Sequence, residues 1–526
     1  MMKKNILVKG KDSNSIDNTK IKEFFKNIIN KKISKKELEK NKIKFSRKYK
    51  LKNLILTSKI REAINIKNNQ DSLVTKPSRS KSGVTVVAIM TKPSKCPGKC
   101  IFCPTNKRAP KSYTGDEPAA MRASRNKFDP FSQIKDRLKQ LEATGHPTTK
   151  IELIVMGGTF PSTSKKYQED FVRGIYQALT NCKIKDLKKL KEKAMTSKHR
   201  LIGLTFETRP DYCDKKTIKR LLDFGATRVE IGVQSVDNDT LNFVKRKHST
   251  KEIIKATKEL KDAGFKVLYH MMVNLPSSNI KKEYFNFKKI FEDPNYMPDM
   301  LKIYPCLVTK NTVLEEMYNK NLYKPYKLED TIKLIADIKE IVPPWIRIMR
   351  IQRDIPAKNI IDGVKKSNLR QLVEIELKTR GKKCNCIRCN EPNNNLNSKN
   401  LKNISNYKIN TTKYQASGGS EYFISAKFEN YNLGFIRLRF PHQTYIKELA
   451  GKTAIVRELH VYGETTEFGD KNIQHIGIGK KLLKSAEEIA KENNYKKLAI
   501  ISGIGVREYY RKLDYKLIGN YMIKNL

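Results

Sequence analysis

Residues 90–106 read MTKPSKCPGKCIFCPTN, and this stretch decides the fold. It places Cys96, Cys100 and Cys103 at C-x3-C-x2-C spacing on a loop that contains proline and glycine and follows the apolar run 84–90. Three thiolates on one short loop can bind three of the irons of a 4Fe–4S cluster. The fourth iron then has no protein ligand and is open to a small molecule.

Two other interpretations of these cysteines are weaker. A zinc knuckle needs a fourth ligand nearby, but no histidine and no further cysteine occurs in the forty residues after Cys103. A purely structural trio is also disfavoured, because free cysteines crowded onto such a loop are poor core material. An open iron can chelate S-adenosylmethionine (SAM) and pass it one electron. The spacing, with Phe102 directly before the third cysteine, resembles the radical SAM superfamily.

The pattern around this loop predicts an α/β multidomain protein. Short apolar runs alternate with helical segments, which indicates a parallel sheet with right-handed crossovers. Six such units fit a partial (β/α)6 barrel, whose active site is expected at the carboxyl ends of the strands. The predicted strands span residues 84–90, 151–156, 201–207, 228–233, 266–273 and 301–304.

The net charge of +53, from 107 basic and 54 acidic residues, indicates a polyanionic partner, with nucleic acid favoured over a membrane surface. The alternative explanation of the positive charge is a general compositional bias toward lysine. Residues 1–82 hold 24 Lys/Arg against 7 Asp/Glu.

No apolar run approaches the roughly 20 residues that span a bilayer. Nine cysteines in two clusters and three single positions suggest metal chemistry in a reducing, cytoplasmic setting.

Two further groups of residues near the predicted barrel are candidates for SAM binding. Gly157 and Gly158 follow the second strand and would let a ligand approach the backbone, although a simple turn would also explain them. Glu230 and Gln234 alternate with Gly232 on the fourth strand and should share one face. A buried Glu–Arg pair, with Arg209 or Arg228 as the partner, explains Glu230 equally well.

The last part of the chain, from residue 408, is predicted as an α+β domain. Its strands are expected at 421–427, 433–439, 454–461, 498–501 and near 515–523, with a helix over 477–493. The helix opens with Gln474, Gly477, Ile478, Gly479 and Lys480, a Q-x-x-G-x-G pattern that turns backbone N–H groups toward an anion. This segment resembles the pyrophosphate loop of GNAT-type acyl-CoA-binding domains.

A second cysteine cluster lies between the two domains. Cys384, Cys386 and Cys389 would suit a structural zinc ion with one further ligand. Cys306, His270 and His199 are the candidates for that ligand, and the sequence does not choose between them. Cys182 and Cys213 are expected to be ordinary half-buried cysteines. The predicted divisions are a basic region 1–82, a barrel domain 83–375, a linker 376–407 and a C-terminal domain 408–526.

The pairing of these two domains resembles the catalytic subunit of Elongator and its archaeal and bacterial relatives. The resemblance runs from about residue 84 to residue 526. Its departures are Gly98, where relatives often have histidine, and Thr105-Asn106, where they often have two glycines. The matching segments are SYTGDEPAAMRA (112–123), IELIVMGGTFP (151–161), FETRPDYC (206–213), RVEIGVQS (228–235), LKIYPCLV (301–308), PPWIRIMRIQRDIP (343–356), RELHVYGE (457–464) and ISGIGVREYYRKLDY (501–515).

The resemblance implies carboxymethylation of the wobble uridine of tRNA at C5. A 5′-deoxyadenosyl radical from SAM would take hydrogen from the methyl group of acetyl-CoA, and the acetyl radical would add to the base. A wobble base must be splayed out of the anticodon stem-loop to react, which suits a basic surface. The residues that would contact acetyl-CoA are Lys150, Glu458, Leu459, His460, Val461, Ile478, Gly479, Lys480 and Tyr510.

Other functions and partners stay open. The main alternative is a protein lysine acetyltransferase with a structural iron–sulfur cluster, in which Glu458 would be the general base. A tRNA-binding scaffold with vestigial sites is a third class, and the intact cysteines, glycines and Tyr510 argue against it. Tyr510 would assist the thioester step in the resembling family. The sequence does not decide whether the chain forms a homodimer or needs Elongator-type accessory subunits.

Overall fold

The structure is a computed structural model that describes residues 12, 16–30, 33–65, 73–76, 83–392, 406–463 and 477–526. Three helices come first in the described chain: α1 (Asn18–Asn30), α2 (Lys35–Lys48) and α3 (Thr57–Ile64). Ile21, Phe25, Leu38 and Phe45 form a small apolar core between them. Residues 77–82, at the end of the predicted basic region, and residues 393–405 of the predicted linker 376–407 lie outside the described residues.

A seven-stranded parallel sheet follows, and it confirms the expected partial barrel. Its strands pair in chain order, β1 to β6 and then β8, because the short strand β7 (Val308–Thr309) lies outside this sheet. The six predicted strands are present, and a seventh, β8, occurs within a basic segment for which no strand was predicted. The strands are β1 (Thr85–Met90), β2 (Lys150–Met156), β3 (Arg200–Thr208), β4 (Arg228–Gln234), β5 (Lys266–Val273), β6 (Met300–Pro305) and β8 (Arg347–Ile351).

Helices cover one face of this sheet and leave the other face polar. Val229, Ile231 and Val233 of β4 lie in the main apolar core with the helices. The alternate residues of β4 point to the concave face, where they line the barrel interior. The helices of this domain are α4 (Pro118–Arg125), α5 (Pro130–Ala143), α6 (Lys165–Thr180), α7 (Leu187–Ala194), α8 (Lys215–Asp223), α9 (Asn238–Phe243), α10 (Thr250–Asp262), α11 (Ile280–Glu292), α12 (Val313–Asn319), α13 (Leu328–Glu340) and α14 (Leu369–Thr379).

The C-terminal domain is a second seven-stranded sheet, of order β10-β11-β12-β13-β14-β16-β15. All neighbours are antiparallel except β13 and β14, which are parallel. The predicted final strand is two short strands, and β10 was not predicted. A two-stranded ladder pairs β7 (Val308–Thr309) with β9 (Ile360–Asp362). The C-terminal elements are β10 (Lys408–Ala416), β11 (Gly419–Phe428), β12 (Tyr431–Phe440), β13 (Thr453–Val461), α15 (Ile478–Glu492), β14 (Lys497–Ile501), α16 (Arg507–Arg511), β15 (Lys516–Ile518) and β16 (Tyr521–Asn525).

The C-terminal domain packs against the amino ends of the barrel strands through a buried ionic cluster. Arg457 of β13 forms a two-pronged ion pair with Asp299, at 2.6 and 2.7 Å, directly before β6. The same guanidinium reaches Glu421 at 2.7 Å. Each charge meets opposite charges, so burial is compensated. The members of the ionic cluster are Lys261, Asp262, Asp299, Glu421, Arg437, Arg439, Arg457 and Glu458.

The main apolar core also crosses between the two domains. Ile455 and Ile501 of the C-terminal sheet belong to the same buried cluster as the outer face of the barrel. A Cβ on Gly503 would lie 2.1 Å from the carbonyl oxygen of Ile202, so the two backbones are in direct contact there. None of the helices in the described ranges is long and apolar enough to cross a membrane.

Candidate active site

The cysteine loop lies at the carboxyl end of β1, where the barrel rule places an active site. Cys96, Cys100 and Cys103 line one open cavity together with residues from the ends of the neighbouring strands. Ile101 and Phe102 anchor the loop in an apolar cluster beside Met272. The loop therefore holds its three thiols and Phe102 at the cavity, while Ile101 and Phe102 pack in the apolar cluster beneath it.

Two arginines surround these thiols. The Arg246 guanidinium donates a hydrogen bond to the sulfur of Cys100 at 3.4 Å. Arg209 packs so closely on Gly98 that a Cβ there would lie 2.3 Å from the Arg209 Nη1. A hydrogen bond from Cys103, followed by the charges of Arg246 and Arg209, lowers the pKa of Cys100 to about 5. This environment stabilises the thiolate of Cys100, and the thiolate is the form that binds iron.

The residues present fit an iron–sulfur cluster. Cys103 shares a hydrogen bond with Cys100, and its own pKa is raised well above the usual value by that bond and by burial. Nη1 of Arg209 and Nε of Arg246 are buried and have no partner among the protein atoms described. Three thiols with uncompensated cationic donors beside them match an anionic, thiolate-bound group.

The concave face of the barrel below the cysteines carries a dense charge network. Glu230 accepts from the Lys302 ammonium and from Nε2 of His270 at 2.8 Å, and it lies 3.3 Å from Arg228. Burial alone would raise the pKa of Glu230, but Lys302 lowers it well below the usual value. The predicted pair with Arg228 is present, and Arg209 instead binds Asp211 at 2.9 Å. Sequence reasoning missed Lys302 because no local pattern signals it.

Glu207, Glu230 and His270 place their ligand atoms within 4.8 Å of one another, as in a metal site. Lys302 occupies this position, since its ammonium also lies 3.7 Å from Glu207. The lysine charge therefore replaces a metal cation between the two carboxylates. Tyr113 donates to the other oxygen of Glu207 at 3.1 Å, which completes the polar floor of the cavity.

The strand ends supply the remaining predicted SAM contacts. Gly157 has φ +121°, and a Cβ there would lie 2.4 Å from Thr91 Oγ1, so only glycine fits beside the start of the cysteine loop. Gly158, with φ +78°, lines the cavity. Gln234 also lines it from the end of β4. The structure thus brings these three residues together with the cysteines.

In the C-terminal domain, Gly477 caps α15 with φ +81°, and a Cβ there would have no atom of the described residues within 4 Å. Ile478, Gly479 and Lys480 form the first turn of this 15-residue helix. Gly479 faces the Tyr509 hydroxyl, 3.1 Å from its Cβ position. An open helix N-terminus of this kind suits a phosphate group. Gln474 lies outside the described residues.

Strand β13 presents the other predicted acetyl-CoA residues. It pairs with β14 from Thr453 to Val456, and within the described residues Glu458 to Val461 have no ladder partner on that side. Leu459 packs against the C-terminal core. Glu458 binds Arg437 at 2.9 Å, and burial lowers the pKa of His460 to about 4. Glu458 and His460 alternate along β13 and therefore share one face. Their side chains lie close to charged residues at the amino end of the barrel, among them Lys266.

Lys150 and Tyr510 complete the predicted set. Lys150 begins β2, so it lies at the amino end of the barrel, on the side of the C-terminal domain. Burial and the neighbouring Arg200 lower the pKa of Lys150. Tyr510 is buried in the C-terminal core, and burial raises the pKa of its hydroxyl, which therefore stays protonated at neutral pH. Its ring makes an edge contact with Tyr509.

The second cysteine group is compact. Cys384, Cys386 and Cys389 place their sulfurs within 4.8 Å of one another, which suits a single ion. None of the three candidates for the fourth ligand lies in this group, so those predictions were wrong. Cys306 is in the apolar cluster near Cys100, His270 binds Glu230, and His199 faces the carbonyl oxygen of Thr148 at 2.9 Å.

Comparison with known proteins agrees with both predicted domains. Residues 90–286 match the radical SAM superfamily, residues 298–379 the radical SAM C-terminal domain, and residues 394–515 the acetyltransferase (GNAT) family. The chain is 49% identical over 467 residues to the tRNA uridine(34) acetyltransferase of Methanocaldococcus infernus, covering 86% of this chain and 87% of that protein. It is 40% identical over 478 residues to human Elongator complex protein 3, with 86% of each chain covered.

The chain belongs to the family of tRNA uridine(34) acetyltransferases and Elongator complex protein 3. The solved archaeal Elp3 of M. infernus, with an N-terminal deletion, superposes with a TM-score of 0.74 at 44% identity, covering 85% of this chain and all of that one. The predicted family and fold are confirmed. As a family member, the protein is an enzyme with a radical SAM domain, which implies a 4Fe–4S cluster and SAM, and a GNAT domain, which implies acetyl-CoA.

Proposed function

We propose that this enzyme carboxymethylates the wobble uridine of tRNA at C5, using acetyl-CoA and a SAM-derived radical. One observation carries the proposal. Glu230, which lines the cavity with the cysteines, lies 3.3 Å from Arg228 at the start of the same strand, and the charge of Arg228 interacts with Glu458 of the GNAT domain at the amino ends. A radical cannot diffuse far, so one chain must bring both cofactors to one interior.

The cysteine end of the interior is built to hold the radical source. Cys96, Cys100 and Cys103 would bind the cluster, and Gly157, Gly158 and Gln234 would contact SAM. When bound, the cluster and SAM would together supply a 5′-deoxyadenosyl radical, which can abstract a hydrogen atom from the acetyl methyl group. The charge network of Glu230, Lys302 and His270 keeps the floor beneath them fixed and polar.

The GNAT end is built to hold acetyl-CoA. The N-terminus of α15, opened by Gly477, would bind the pyrophosphate. The edge of β13 from Glu458 to Val461, which has no ladder partner among the described residues, would bind the amide-bearing arm of the coenzyme as a sheet edge binds an added strand. Lys150 would help from the start of β2. These contacts direct the acetyl group toward the amino end of the barrel.

A protein lysine acetyltransferase is the competing function, and Glu458 argues against it. A general base must be accessible and of suitable basicity. The Glu458 side chain is only 10% exposed and is tied to Arg437 at 2.9 Å. Burial alone would raise its pKa, but Lys266 and Arg437 lower it below the usual value, so it is a poor base.

The decisive experiment uses acetyl-CoA with a trideuterated methyl group. Anaerobically reconstituted full-length protein is incubated with SAM, reductant, this acetyl-CoA and a tRNA that carries an unmodified wobble uridine. Mass spectrometry should find carboxymethyluridine with two deuterons and 5′-deoxyadenosine with one. Acetylated lysines without SAM cleavage would refute the proposal and support the alternative. An unlabelled product would refute hydrogen abstraction from the acetyl methyl group.

Replacing Tyr510 with phenylalanine should lower kcat for carboxymethyluridine about 100-fold, with little change in KM for acetyl-CoA. Its protonated hydroxyl would donate to the thioester oxygen as charge develops there, and loss of one such donor costs about that factor. Tyr515→Phe is the matched control, because this hydroxyl lies in the same core but donates to Glu487 at 2.7 Å. Equal losses in both variants would assign Tyr510 to packing alone.

Cys384, Cys386 and Cys389 are further proposed to bind a structural zinc ion between the domains. Purified protein should contain about one zinc per chain by mass-spectrometric metal analysis, and Cys386→Ser should lose it. Cys213→Ser is the control, since this buried thiol lies in the main apolar core. Zinc retained in Cys386→Ser, or absent from the wild type, would contradict the assignment.

The tRNA and the division of the chain complete the proposal. The excess positive charge of residues 1–82, counted in the sequence, supports binding of the anticodon stem-loop by the N-terminal region. The four-part division at residues 82, 375 and 407 stays a prediction. A homodimer and an assembly with Elongator-type accessory subunits are both consistent with the proposed function.

A further inference from the structure

Arg246 occupies a special position beside the cysteine loop. It follows α9 and is 7% exposed. Its Nη1 donates to the sulfur of Cys100 at 3.4 Å, and its Nη2 donates to the carbonyl oxygen of Gly232 at 2.5 Å. The side chain therefore bridges a cysteine of the loop and the end of strand β4.

The two arginines near the cysteines differ in how their charges are balanced. Arg209 forms a two-pronged pair with Asp211, with both contacts at 2.9 Å. Arg246 forms no ion pair with a carboxylate of the described residues, and its Nε is buried without a partner. A buried guanidinium without an anion is costly. The anion that fits this position is the thiolate-bound cluster, which Cys100 would help to hold.

We infer that Arg246 is a positioning residue that raises the reduction potential of the cluster. This inference rests on the proposed function, because it requires that Cys96, Cys100 and Cys103 hold iron. Hydrogen bonds to the ligand sulfurs and nearby positive charge stabilise the more negative, reduced state of an iron–sulfur cluster. Arg246 supplies both to the same sulfur. It thereby makes transfer of an electron into the cluster easier.

The location of Arg246 explains why this effect is specific. The hydrogen bond is buried, so water screens the charge only weakly. Lys245 and Lys247, the neighbours in sequence, are exposed, and their charges are screened by solvent. One change of charge at 245 and one at 246 should therefore have different effects on the potential, although the net charge of the chain changes equally.

The test is a redox titration of the reconstituted full-length protein, followed by electron paramagnetic resonance, without SAM, acetyl-CoA or tRNA. In Arg246→Gln, the ratio of reduced to oxidised cluster at the wild-type midpoint should fall about tenfold, a shift of about 59 mV to more negative potential. Lys245→Gln should leave the potential unchanged. Arg246→Lys keeps the positive charge, so its midpoint potential should lie close to that of the wild type.

The iron content of each variant separates this role from a structural one. Arg246→Met is a second neutral variant and decides the question if the glutamine variant takes up no iron. A neutral variant with a full iron complement and the wild-type potential would overturn the inference and leave Arg246 as a tie to Gly232. An equal shift in Lys245→Gln would also overturn it. A wild-type protein that binds no iron would refute the proposed function itself.

Discussion

Replacing Cys103 with alanine should reduce carboxymethyluridine formation below the detection limit. The thiol is one of only three on the cysteine loop, it shares a hydrogen bond with Cys100, and it lines the cavity. With two thiolates left, one more iron of the cluster loses its protein ligand. The measurement is mass spectrometry of digested tRNA, together with iron content and the yield of 5′-deoxyadenosine.

Cys306→Ala is the matched control for this variant. Cys306 is fully buried in the same apolar cluster as Cys100 and Phe102, but it is not on the cysteine loop. It should keep its iron and its product, with a small loss of stability from the deleted sulfur. Undiminished product in Cys103→Ala would contradict the assigned cluster. Lost product in both variants would indicate that packing around Phe102, and not ligation, is the sensitive feature.

Replacing Arg457 with methionine should destabilise the protein by about 3–5 kcal/mol, because the buried carboxylates of Asp299 and Glu421 both lose a close cationic partner. Arg457 is 0% exposed and contacts both Asp299 and Glu421. The measurement is the shift of the urea midpoint of the cooperative transition. Arg511→Met is the control, since its ion pair with Glu508 is exposed and should contribute little. Similar shifts in both variants would contradict the role of the ionic cluster.

The same cluster gives the stability a defined pH dependence. Burial alone would raise the pKa of Asp299, but Arg457 and Lys261 lower it far below the usual value. The unfolded chain protonates this carboxyl near pH 4. The contribution of Asp299 to the free energy of unfolding is therefore fully present above about pH 5 and is lost as the pH falls further. Arg457→Met should be much less sensitive to pH in this range.

Local patterns in the sequence predicted most of the barrel and both cofactor regions. The cysteine spacing, the glycine pair at 157–158 and the Gly477–Gly479 turn are short-range features, so their geometry follows from residues close in the chain. The six predicted strands have apolar runs that a buried parallel strand requires. The seventh, Arg347–Ile351, is RIMRI, in which charge obscures the run, and only pairing with β6 makes it a strand.

The sequence by itself thus determined the fold class, the two cofactor domains and the thiol ligands proposed for the cluster. Tertiary structure alone decided which charges meet. Arg246 reaches Cys100 across 146 positions, and Arg457 reaches Asp299 across 158. The first contact depends on how the segment after α9 folds against the cysteine loop, and the second depends on how the C-terminal sheet packs on the barrel. No spacing along the chain encodes these contacts. A buried charge is costly unless an opposite charge or a hydrogen-bonding group lies beside it, and the tertiary fold decides which residues become neighbours.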